Sequence, residues 1–383
     1  MNRRIGDARR LSPTVSQRID KVYLGVSVAR ITNAIKRTPP GLTLLFLAPV
    51  LGELVSVHQT PLEFINPLNF IILSLPYGFG ALICRELVVR WKKGRISLLL
   101  LGVAYGLYEE AIVVYSVFDP NWAELGSLAR YGFFAGVNWT WGALTVHFHT
   151  LISIGASVVL TEILYPERRH QRWLGNKALA SCFAGILLWV PIMGLIMILD
   201  MGRPFPPLGW YCLSWLAVLM LGWAAHHLPS QPILAVKRTV PRLIYFFLLG
   251  LVNMSAFFLT VFLTPEFRVI PLWATMLWLL MLDVGTAWVV YHWSGNGYSW
   301  DDRHRLALIA GLLGFFVYFS FDKDLKHWTG TSLVGLATVI GLWQLWRRVG
   351  RRMQSQGIIG GRRLEEDHCR RGPSRHSENG IPL

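Results

Sequence analysis

The chain has 383 residues, 53% of them hydrophobic and only 15% charged, with a mean hydropathy of +0.42. That much apolar surface does not fit inside one soluble core, which excludes an ordinary globular enzyme and points to a polytopic membrane protein. The formal charge of +15 raises nucleic acid as a partner, but neither a binding motif nor aromatic interleaving of the base-stacking kind accompanies it, so none is expected.

Residues 1–40 form a basic arm that ends at Pro39-Pro40, which stop any helix there, and within it Val22–Ile35 reads as a short interfacial helix. Ten apolar stretches follow, each near the roughly twenty residues that cross ~30 Å of hydrocarbon. They are Leu42–Val57, Asn69–Val89, Ile96–Phe118, Ala143–Tyr165, Ala178–Leu199, Leu208–Pro229, Leu243–Leu263, Ile270–Trp293, Leu306–Phe321 and Ser332–Trp346. Between the third and fourth, Asp119–Gly142 is the longest outward connection, and its aromatic stretch Tyr131–Trp141 reads as re-entrant or interfacial. The expected fold is an all-α transmembrane bundle of about ten spans. Residues 41–199 form a half rich in membrane acids, 200–346 a scaffold half, and 347–383 a basic disordered tail.

The cations alternate with these spans. The connections on one side hold thirty-two of the thirty-seven Lys and Arg, leaving Arg130, Arg203, Arg268, Lys323 and Lys326 on the other. By the positive-inside rule both termini are cytoplasmic, in a bacterial inner membrane. Membrane lipids are the expected partners, with anionic headgroups drawn to the basic loops and tail.

Glu109 and Glu110 are adjacent inside Ile96–Phe118, an otherwise uncharged stretch. A charge at a helix centre in the bilayer costs at least ~2.5–3.5 kcal/mol, so such a pair is a functional-site candidate. Topology places it near others. Counting rise from the span ends, Glu110 lies ~12 Å below the outer boundary, His149 ~9 Å and Glu53 ~6 Å, with His147 shallower than His149. Glu109, Glu110 and His149 are the candidate catalytic residues. Glu53, His147, Asn138 and Tyr105 are supporting, and Tyr108 and Trp139 are further hydrogen-bond donors. A Glu pair with His suits general acid–base work on water, proton relay or metal binding. No H-E-x-x-H spacing accompanies it, and no cofactor is readable. Such acids can also simply hydrogen-bond their neighbours and fix packing.

Elsewhere, Arg85, Glu86 and Arg90 are expected to pair and snorkel to the headgroups. Glu162 should sit beside Arg168 and Arg169, and Asp283 should hydrogen-bond Asn253.

The adjacent Glu109-Glu110 in one membrane helix, with membrane His in a later one, resembles the CAAX protease and bacteriocin-processing family of glutamate-dependent intramembrane proteases. Val114 stands where that family's E-E-x-x-x-R motif has Arg, and Ala143 and Thr145 stand where F-x-x-x-H has Phe. Leu151 and Ser153 replace the Asn or Asp of its third motif. The resemblance implies a carboxylate that activates water. The hydropathy pattern is also similar to that of uncharacterised bacterial multi-pass proteins, which implies no activity. Three readings therefore stand: a membrane-embedded hydrolase-like enzyme acting on lipid or membrane peptide, a proton- or cation-coupled transporter or channel, and a structural or accessory membrane protein.

Overall fold

The computed structural model describes residues 38–230, 239–267 and 269–370, with side chains through residue 355. Val22–Ile35 lies outside these residues. Ten long helices, besides a few single turns, run through the described residues. They are α1 Pro40–Val55, α2 Pro67–Arg90, α3 Arg95–Val113, α4 Trp139–Leu164, α5 Asn176–Asp200, α6 Leu208–His227, α7 Leu243–Phe267, α8 Leu272–Trp293, α9 Asp302–Leu325 and α10 Thr331–Arg370. Eight of them, α2 to α9, are long and apolar enough to cross a membrane, while α1 is a shorter apolar helix. The tenth apolar stretch is the start of α10, which continues as helix through Arg370, into the segment expected to be disordered.

Burial sorts the helices. In α3 and α4, 72% of the apolar window is buried inside the bundle, against 6% in α6 and 11% in α8. The helices bearing Glu109, Glu110 and His149 are therefore central, and α6 and α8 are peripheral, presenting Leu219, Trp223, Trp273 and Trp288 outward. Water would not tolerate so continuous an apolar surface, whereas lipid does.

Two ends of the bundle are distinguishable by their contacts. At one, the connection 114–138 caps the helices: Arg203 binds Asp119 at 2.6 Å, Trp210 donates to the Ala135 carbonyl at 2.8 Å, and the Tyr131 and Thr275 hydroxyls meet at 2.6 Å. Its centre is a two-residue hairpin, β1 Phe133–Phe134 with β2 Val137–Asn138. The other end is rich in arginine. There Asp302 binds Arg169 at 2.7 Å and Arg305 at 3.3 Å, and also Arg352.

Several expectations change, most of them at this arginine-rich end. Arg85 does not snorkel: it is 1% exposed, bonded to Glu86 at 2.7 Å and to the Arg169 carbonyl at 2.9 Å, with Trp173 stacked over it. A loop of the chain has replaced the headgroup as its partner. Glu162 pairs with Arg95 rather than Arg168 or Arg169, because Arg169 is engaged by Asp302. Asp283 meets His147 at 2.8 Å, and Asn253 donates to Thr286 instead.

Candidate functional site

Three helices meet around His149, and each departs from α geometry at that level. π-helical turns cover Val50–Val55 with Glu53, Tyr108–Val113 with Glu109 and Glu110, and His149–Ala156 with His149 and Ser153. In a π turn the hydrogen bond spans one residue more than in an α turn, so adjacent side chains turn more nearly the same way, and such turns recur at functional sites. Glycine permits the close approach. A Cβ on Gly106 would lie 2.9 Å from the Val146 Cα, and one on Gly52 would lie 2.5 Å from the Tyr77 ring.

Strained backbone ends two of these helices at the capped end. Helix α3 stops at Val113, five residues short of the expected span end, because Tyr115 adopts a left-handed conformation at φ +61°. That reversal aims Ser116 back at the helix. Val57, just past α1, is left-handed as well, at φ +63°. Conformations of this kind cost about 1–3 kcal/mol each and are found where surrounding structure enforces them.

Glu110 accepts from both sides. Its Oε1 is 3.0 Å from His149 Nε2, and its Oε2 accepts from the Ser116 hydroxyl. Ser116 in turn accepts from the Trp141 indole at 3.0 Å. Since an indole N–H can only donate, Ser116 must spend its own proton on Glu110, and the chain has a fixed direction. The far ring nitrogen of His149, Nδ1, lies 3.1 Å from the Ser153 hydroxyl. Tyr77 and Tyr105 flank the imidazole, with ring centroids 5.8 and 5.7 Å away, and each serves a carboxylate. Tyr77 donates to Glu53 Oε1 at 2.6 Å, and Tyr105 to Glu109 Oε2 at 3.3 Å. Among the described residues Glu109 Oε1 has no hydrogen-bond partner.

Access is graded. His149 is 3% exposed, Glu109 and Glu110 8% and 9%, Glu53 is half-buried and His58 is exposed. His58 packs on Phe148 and hydrogen-bonds Ser56 at 2.8 Å. It lies exposed at the capped end, beside the loop Thr60–Asn66 and its single helical turn Pro61–Phe64. That loop is held by a reciprocal cap in which the Thr60 hydroxyl and backbone N–H, at 2.7 and 2.9 Å, hold the Glu63 carboxyl below its ordinary range. Toward the arginine-rich end, Leu44, Ala48, Leu101, Ile152 and Ile154 are all buried and close the cluster off.

Of the expected site residues, Glu53, Tyr105, Glu109, Glu110 and His149 come together. His147 does not: its ring stacks on Phe257 at 3.8 Å and reaches Asp283 in α8. Two residues apart on a helix, the two histidines face opposite ways. Asn138 is a helix cap, accepting from Trp141 N at 3.0 Å and donating to the Leu128 carbonyl at 2.9 Å. Tyr108 donates to the Ile186 carbonyl, and Trp139 to that of Phe134, so neither serves an acid. Ser116, Trp141, Tyr77, Ser153 and His58 were not anticipated. Among the described residues no three His, Cys, Asp or Glu side chains stand together as a metal shell.

An all-helical bundle with apolar outer helices and a buried polar cluster at its centre defines a multi-pass membrane protein. Residues 42–297 match an uncharacterized membrane protein family, and the chain belongs to that family. Helices α9 and α10 lie beyond the matched stretch. No curated protein and no solved structure matches the chain.

Proposed function

We propose that this protein is a membrane-embedded hydrolase-like enzyme acting on a lipid or membrane peptide, with its site open to one face of the membrane. All ten helices cross the bilayer in this reading, and both flanks lie on the arginine-rich, cytoplasmic side of a bacterial inner membrane. The observation that carries it is the 3.0 Å contact between Glu110 and His149, beside a second carboxylate with an open oxygen. Glu109 Oε1 takes a proton from water as the water oxygen attacks the substrate carbonyl. The same proton passes to the leaving oxygen or nitrogen as its bond to carbon breaks. Glu110, fixed by His149 and Ser116, orients the water and holds the imidazole in place. The apolar closure toward the arginine-rich end supports a blind cleft rather than a path between two faces.

Turnover of phospholipid and of a hydrophobic peptide by the purified protein tests this. Glu109→Gln and His149→Ala should each lower turnover at least about a hundredfold, the scale of a lost general base. Equal turnover in both variants and the parent would overturn it, leaving the acids a packing role.

A second reading is favoured by the π turns, which give three helices room to shift register around the titratable groups. In it the cluster is the proton- or cation-binding centre of a transporter. Acid-dependent flux into proteoliposomes, lost in Glu110→Gln, separates the two.

A further inference from the structure

At the arginine-rich end, α7, α9 and α10 leave a groove of about 400 Å³ between them. Its lining, which includes Leu243, Phe247, Leu306, Ala307, Trp343 and Trp346, is mostly apolar. Its mouth is not. The Arg303 guanidinium lies 6.0 Å from the Trp346 ring, and that of Arg347 lies 4.8 Å from the Trp343 ring. Because Trp343 and Trp346 are three residues apart, Arg347 of α10 and Arg303, reaching across from α9, lie over the same face of α10. Arg242, exposed, directly precedes the groove residue Leu243.

Among the described residues none of these three arginines has a carboxylate partner, and the buried Arg303 Nε has no hydrogen-bond partner at all. The nearby acids are committed elsewhere. Asp302 binds Arg169, Arg305 and Arg352, and Asp301 caps α9 together with His304 at 2.7 Å. A guanidinium stacked on an indole keeps its in-plane N–H groups free, and these match the oxygens of a phosphate.

We propose that this groove binds one anionic phospholipid, with an acyl chain between α7, α9 and α10 and its phosphate held by Arg303 and Arg347. Charge complementarity chooses the occupant: an uncharged apolar partner would leave the arginines unanswered, and a soluble anion would leave the groove empty.

Native mass spectrometry of the purified full chain tests it, titrating phosphatidylglycerol against phosphatidylcholine of the same acyl chains, with inorganic phosphate as the headgroup-only arm. One phosphatidylglycerol should be retained in preference to phosphatidylcholine. Arg303→Gln and Arg347→Gln should each weaken that retention about fivefold, the factor for ~1 kcal/mol per cation near an anionic headgroup. Ala310→Phe, which fills the groove without touching a charge, should weaken it as well. Neutralising Arg172 and Lys177, exposed basic residues just before and in the first turn of α5, should leave it unchanged. Melting curves check that each variant is folded, and the exposed Arg347 serves if Arg303→Gln is not. Equal retention of the two lipids, equal loss in the Arg172 and Lys177 control, or displacement by inorganic phosphate at lipid-like concentrations would overturn the proposal.

Discussion

Ser116 joins a donor-only indole to a carboxylate, so its single proton decides which way the Glu110 network points. Ser116→Ala leaves a buried Glu110 oxygen and the Trp141 N–H without partners at once, and should cost about 1–3 kcal/mol of stability. Trp141→Phe breaks the same chain from its other end, so the double variant should lose less than the sum, read as a thermal double-mutant cycle. Residues of this kind differ in how visible they are in the sequence. Glu109, Glu110 and His149 stand out because ionisable groups are rare in apolar runs. Ser116 and Ser153 do not, since hydroxyls in membrane helices ordinarily bond their own backbone, as Thr145 does to Trp141 and Thr150 to Val146. His147 and His149 are equally conspicuous in sequence, and only the direction each faces separates them.

Helix α3 is brought against α4 by Gly106, whose hydrogen faces the Val146 backbone. Gly106→Ala places a methyl group where no rotamer change can make room. The helices must part by a few tenths of an ångström or more, at about 1–3 kcal/mol, the usual range for overpacking. The separation should also lengthen the Glu110–His149 contact, so turnover should fall more steeply than the melting temperature. Comparing the two measurements in one variant checks this. At this scale hydropathy located the helices but not their ends. Span three was expected to reach Phe118, yet it stops at Val113 through a left-handed tyrosine, where neither Gly nor Pro signals a break. The π turns are equally silent, because they arise from packing between helices rather than from local propensity. Glu110 consequently lies three residues from the end of its helix, covered by the 114–138 connection instead of by depth alone.

The whole bundle is organised around α3 and α4, an arrangement that apolar run lengths do not reveal, since α6 and α8 look as hydrophobic and lie at the edge. Charge alternation was more informative. It grouped the basic connections on one side, and the structure gathers Arg169, Arg305 and Arg352 at one end around Asp302. Breaking a buried ion-pair network by removing its acid costs about 3–5 kcal/mol, so Asp302→Asn should lower the melting temperature far more than changes at half-exposed acids such as Asp322. Thermal unfolding in a fixed detergent gives the comparison. Asp302 also bears on the order of assembly. Its partners enter the chain at 169, 305 and 352, so the site is one cation short until α10 arrives, long after the Glu–His centre has been synthesised. Helix α10 then acts as a clasp. A nascent chain lacking it holds a Glu–His centre whose helices are already made but not yet fastened.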